Sequence, residues 1–341
     1  MPTRWRIIAL ALAALLAMLS ARAASADALS DIKARGNVLC GGSGQPSGFS
    51  ATEVNGNWVG LGADYCRGLA AVIFNDASKV QFVALQPGDG PSALLSGKID
   101  ALADPLPWVL NADTSGGVIF VATVFYDGQG FLVPKASGLK SARDLAGKQI
   151  CIAGSDTQQA AMREYLDANN IAGKAMVVSD NAAAEANYLD GTCAAISGDW
   201  SVLAGLRASL PTPGDHVLLP DLISKEPRGL VIKEGDDRWF DVARWTFFAL
   251  LDAEELGVTQ TNVDEMLGSD NISIRRLLGV EGDFGASLGL NKDWAYELIK
   301  NVGNYADIYE RNVGEQTPLK LPRGLNALWN KGGIQYAPPV R

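Results

Sequence analysis

The chain has a single histidine, His216, and only four cysteines among 341 residues, with no Cys-x-x-Cys pair. Zinc is disfavoured as an organising element, because its structural sites need closely spaced thiolate and imidazole ligands. No spacing of nucleophile and base stands out either. Positive charge is scarce: 29 Lys and Arg face 38 Asp and Glu, a formal charge of -9. Nucleic acid is therefore a poor partner, since phosphate binding needs a basic footprint. Long apolar runs are missing everywhere except near the start.

That one run, Ile7 to Leu19, follows Arg4 and Arg6 and precedes the small-residue series Ala21-Arg22-Ala23-Ala24-Ser25-Ala26. A charged n-region, an apolar stretch too short to span a bilayer stably and an Ala-x-Ala pattern describe a secretory signal over 1–26. Its removal takes three arginines and leaves about 315 residues of still more acidic chain for a compartment outside the cytoplasm, too many for one core, so two lobes are expected. Cys40, Cys66, Cys151 and Cys193 form an even set in an oxidising compartment, which implies two disulfides with three possible connectivities. Their spacing makes Cys40 with Cys66 and Cys151 with Cys193 the economical choice.

Strand-like and helix-like pieces alternate. Strand patterns occur at 37–42, 80–85, 128–134, 148–153, 175–179 and 193–199, and helix patterns at 64–74, 91–100, 156–170 and 181–191. This predicts an α/β fold with mostly parallel sheets. After residue 229 the chain turns mainly helical and ends in a Gly/Pro-rich tail. Extended pieces at 131–135 and 228–236 are candidate crossings between lobes.

The segments "NWVGLGADYCRGLAA", "ALLSGKID", "FYDGQGF", "GDDRWFDVARW", "NKDWAYELIKNVGNYADIYERNVG" and "RGLNALWNKGGIQYAPPVR", in this order, resemble the general L-amino-acid-binding proteins of bacterial ABC uptake systems, a type 2 periplasmic binding protein family. The resemblance covers nearly all of the exported chain. It implies a two-lobed α/β fold with two hinge strands, residues 27–133 and 229–341 forming one lobe and 134–228 the other. It also implies a monomer that closes on a small solute and delivers it to an ABC permease, without cofactor, nucleic acid or catalysis.

The departures from the family pattern bear on the solute. Where the family carries two arginines, the second gripping the substrate carboxylate with its guanidinium fork, this chain has Asp104 and Ala112. Pro105-Leu106-Pro107 and Val109 replace an asparagine and three threonines, while Trp108 and Asp113 keep their types. A Gly-Thr-Thr-Thr-Glu anion nest becomes Ser155-Asp156-Thr157-Gln158-Gln159, with only Thr157 unchanged. Asp199, in Gly198-Asp199-Trp200-Ser201, matches the acid that accepts the ligand ammonium, and Cys151 and Cys193 match the family as well. Arg228 stands where an apolar residue is expected.

A desolvated carboxylate without its partner costs about 3 to 5 kcal/mol, so an ordinary amino acid should bind poorly. Asp199, Asp104 and Asp156, with Trp108, Trp200 and Tyr126 and with Phe49 close by, would instead form an acidic and aromatic receptacle. A cationic amine or quaternary ammonium solute fits such a site. Blander roles stand beside these: Trp108 as core filler, Asp104 as a turn residue, and Asp156 as a helix N-cap completed by Gln159. His216 reads as an exposed loop residue. Other functions remain open: a scaffold or partner protein that binds no amino acid, an enzyme using Asp104 and Asp156, or a metal-cation binder using Asp104, Asp156 and Asp199.

Overall fold

A computed structural model describes residues 27–44 and 48–341. The secretory signal expected over 1–26 lies outside them. Among the described residues no helix is long and apolar enough to cross a membrane.

One lobe holds two three-stranded sheets. In the first, Val38–Gly42 lies between Val80–Ala84 and Ala101–Leu102, all parallel. In the second, Glu226–Lys233 lies between Leu106–Pro107 and Val118–Asp127, all antiparallel. The helix Leu61–Phe74 is apolar almost all round and is correspondingly buried, packed with Asp237–Glu255 and Trp294–Val302 around Leu69, Phe247 and Leu298. Its second residue must be glycine, since a Cβ on Gly62 would stand 1.7 Å from the Ala103 carbonyl oxygen. That contact seats the helix against the turn leading to Asp104.

The other lobe is one five-stranded sheet in the order Lys174–Val177, Gln149–Ile152, Ala195–Asp199, Gln129–Pro134, His216–Leu218. Its first three strands are parallel and the last two run antiparallel to their neighbours. Both faces are covered: Phe131, Val133, Ile150 and Ile152 point into one core, Leu132, Cys151 and Ile196 into another. Strands buried on both faces read as continuous apolar runs, as these do.

The sheets are thus more mixed than the expected mostly parallel arrangement. Antiparallel pairing enters where the chain passes between lobes, from Val118–Asp127 into Gln129–Pro134 at Gly128, and back between Leu218 and Glu226. The extended pieces at 131–135 and 228–236 begin inside these strands rather than at the crossings. Apolar content stays high on both sides of each crossing, so nothing in the pattern marks the passage. Two disulfides join Cys40 to Cys66 and Cys151 to Cys193, with Cα atoms 6.2 and 5.7 Å apart. Each ties a core strand to a segment packed on it.

Candidate functional site

Four charged side chains meet at the lobe junction. Asp199 ends the strand Ala195–Asp199 and precedes the helix Trp200–Ser209, yet its carboxylate does not cap that helix. It accepts instead from the Gln158 side-chain amide, at 2.6 Å, and from the Arg228 guanidinium. Gln158 is held for this by its own helix start, where Ser155 is the N-cap and Gln158 returns its Oε1 to the Ser155 N–H. The capping box therefore lies one residue earlier than the expected Asp156 and Gln159; Asp156 and Thr157 are exposed in the first turn.

Asp127 is the last residue before the crossing and is almost completely buried. It accepts from the Gly128 N–H at 2.9 Å, and from both the N–H and the hydroxyl of Ser201. Together with the Trp200 N–H, which donates to the Gly128 carbonyl at 2.9 Å, these bonds satisfy the open end of the helix Trp200–Ser209 from the crossing strand. Burial pushes the Asp127 carboxyl up to about 6, and the nearby Asp199 charge adds to this against the opposing pull of Ser201 and Arg228. Glu226, directly opposite Asp127 in the strand pairing, is raised as well, by burial and then by Asp199.

Arg228 is the one cation of this group. It projects from Glu226–Lys233 beside the irregularity at Arg228/Gly229, opposite Phe125 and Pro107. Only Nη2 makes an ion-paired hydrogen bond, to Asp199; Nε stands 3.8 Å from Asp127, beyond hydrogen-bond reach. Arg228 Nε and Gln129 Oε1 are the two buried side-chain polar atoms without a hydrogen-bond partner among the described residues, and both lie at this junction. The sequence marks Arg228 as a misfit without fixing its role. Its strand register, which puts it across from the Asp127 strand, was the missing signal.

The other expected site residues are dispersed. Asp104 accepts from the Ser43 N–H at 2.6 Å and from the Ser50 hydroxyl, tying down the loop after the first strand. Trp108 lies flat on Phe120, ring centroids 4.8 Å apart, with its backbone bonded to Pro227. Trp200 donates its indole N–H to the Leu219 carbonyl and covers Gly130. Tyr126 is held through its backbone by Asn326, and Phe49 packs edge-on against Phe125 in the core. The rings of Trp108, Trp200 and Phe49 thus have partners of their own. Asp104, Asp156 and Asp199 are not gathered into a metal-holding group, and no such group occurs among the described residues. His216 is no exposed loop residue: it opens an edge strand and pairs with the Tyr188 hydroxyl at 2.6 Å.

Beside the cluster a cavity of about 860 Å³ opens between the lobes. Gly60, Val59 and Asn312 form one wall, and Ser197, Gly198 and Leu206 the other. Ser197 and Gly198 immediately precede Asp199, although neither Asp199 nor Arg228 lines the cavity.

Known proteins share this architecture. The chain is 45% identical, over 98% of its length and 99% of the relative's, to the general L-amino acid-binding periplasmic protein AapJ of Rhizobium johnstonii. It belongs to the amino-acid-binding periplasmic proteins of ABC transporters. A second member, the putative amino-acid ABC transporter-binding protein YhdW of Escherichia coli K12, is 43% identical over 98% of each chain. An ABC transporter periplasmic binding protein from Brucella ovis, solved with glutathione bound, is 48% identical with a TM-score of 0.81, covering 93% of this chain and all of that one. The family described as NMT1/THI5 like matches residues 79–208. Proteins of the ABC-transporter family bind small solutes and work with permeases, and the two-lobed fold with its crossing strands is the one described above.

Proposed function

We propose that this protein is the periplasmic capture component of an ABC uptake system whose solute is a cationic amine, with specificity moved away from ordinary amino acids. The observation that carries this reading is the charge balance at the lobe junction. Asp127, Asp199 and Glu226 surround one guanidinium that bonds only one of them. Ala112 and Asp104 stand where the family pattern places arginines, so the guanidinium grip on a free α-carboxylate is missing from those positions. A solute ammonium reaching Asp199 would find acceptors that are buried, directional and under-neutralised. The quaternary ammonium part of the expectation has less behind it, because Trp108 and Trp200 are engaged elsewhere and such ions rely on aromatic faces. The solute would be handed to a membrane permease without chemical change.

The test is isothermal titration with putrescine, ethanolamine, choline, glutamine and glutamate, on the wild type and on Asp199→Asn. Amine binding that weakens about 100-fold or more in the variant supports the reading. Tight glutamate or glutamine binding with no amine binding refutes it. A second reading, a γ-glutamyl peptide of the glutathione type, is favoured by the Brucella ovis relative and by a cavity larger than a single amino acid needs. Glutathione belongs in the same titration series, and its binding alone would replace the first reading.

A further inference from the structure

Arg228 bonds to the very carboxylate that the proposed function reserves for the solute. Its guanidinium holds Asp199 through Nη2 and lies within 3.8 Å of Asp127, so it stands where an incoming ammonium would. The fit is incomplete. A guanidinium carries five N–H donors in a fixed fork that matches a carboxylate two bonds at a time. Here one ion-paired hydrogen bond is made, Nε is buried without a partner, and 17% of the side chain stays open to solvent. A group built as a permanent structural pair would use the fork more fully. Compare Arg323, whose Nη2 meets both oxygens of Glu254 while the same guanidinium also bonds the Asn326 carbonyl.

We propose that Arg228 is a resident counter-cation, a tethered competitor that holds Asp199 beside the cavity and must yield to the solute's own cation. Selectivity then arises by exchange. A solute that offers Asp199 a single weak donor does not repay the loss of the guanidinium, whereas a compact ammonium with three donors serves Asp199 and Asp127 together. The arrangement also keeps three carboxylates from facing one another uncompensated when no solute is present. Arg228 thereby sets which cations bind without itself being the anion grip of the family. This inference rests on Asp199 being the cation acceptor, as argued above.

The experiment compares wild type, Arg228→Met and Arg228→Lys by titration with putrescine and ethanolamine, thermal unfolding serving to show that each variant is folded. Methionine keeps the length of the stem and removes the competitor, so amine binding should tighten at least tenfold. Lysine keeps the charge but lacks the fork, and should fall between the two. Should Arg228→Met not fold, Arg228→Lys carries the same sign of change. Unchanged or weaker amine binding in the folded variants, or no binding at all, overturns the proposal. Its failure is distinguishable from failure of the functional reading. If Asp199→Asn abolishes wild-type amine binding while Arg228→Met leaves it unaltered, only the competitor role falls. If Arg228→Met gains amine binding that the wild type lacks, the competitor role stands and the wild-type solute is something else.

Discussion

Two buried carboxyls predict that this protein loses stability as pH rises from 5 to 8. Burial raises Asp127 from the ordinary 3.8 to about 6, and raises Asp252, beside Glu255, to about 7. In both cases the folded protein keeps a proton that the unfolded chain has already released. The stabilisation is therefore complete below pH 3.8 and is lost as pH climbs through the folded values. Each tenfold change in proton affinity is about 1.4 kcal/mol, so the two groups together account for a loss of about 4 kcal/mol between pH 5 and 8. Glu226 is shifted the same way. His216, lowered by burial, works in the opposite sense below pH 6.5. The exposed carboxylates Asp27, Asp76 and Asp144 are lowered and stay ionised throughout this window. Urea unfolding at half-unit steps of pH measures the slope, and Asp252→Asn isolates one contributor. Asparagine resembles the neutral acid and should restore several kcal/mol at pH 8 with little change at pH 4. Equal effects at the two pH values, or a wild type whose stability rises steadily to pH 8, would refute the assignment of burial as the cause.

Two further outcomes follow from the packing. Replacing Cys151 and Cys193 by serine should cost about 4 kcal/mol, since the bridge spans 42 positions and loop-closure entropy grows with that length; chemical denaturation reads it, and a loss under 1 kcal/mol would discount the bridge. Gly62→Ala forces a Cβ into the Ala103 carbonyl and should cost about 3 kcal/mol or more, seen as a lowered melting temperature; a change within 0.5 kcal/mol would mean that the helix Leu61–Phe74 can slide.

Much of the fold was legible because period and length are local properties. The strands at 37–42, 80–85 and 148–153 and the helix at 156–170 fall within a residue or two of the observed elements. The ten-residue strand Val118–Asp127 was missed, since a run that is apolar from Val118 to Tyr126 except at Thr123 carries no alternation to identify it. The site was legible only in part. Asp199 could be picked out from its matched neighbours, but its partners are 29 and 41 residues away and depend on sheet register. Trp108 and Trp200 were expected at the solute because aromatic side chains serve equally as walls and as filler. Phe120 and Leu219, which claim them, announce nothing in the linear chain.

The helix Trp200–Ser209 takes its N-terminal support from Asp127 and Gly128 rather than from Asp199. A torsional change at Gly128 would therefore shift the base of that helix, and with it the side chain just ahead of it. The crossing and the base of that helix are in this sense one mechanical part, so that resetting the backbone at the crossing re-aims Asp199.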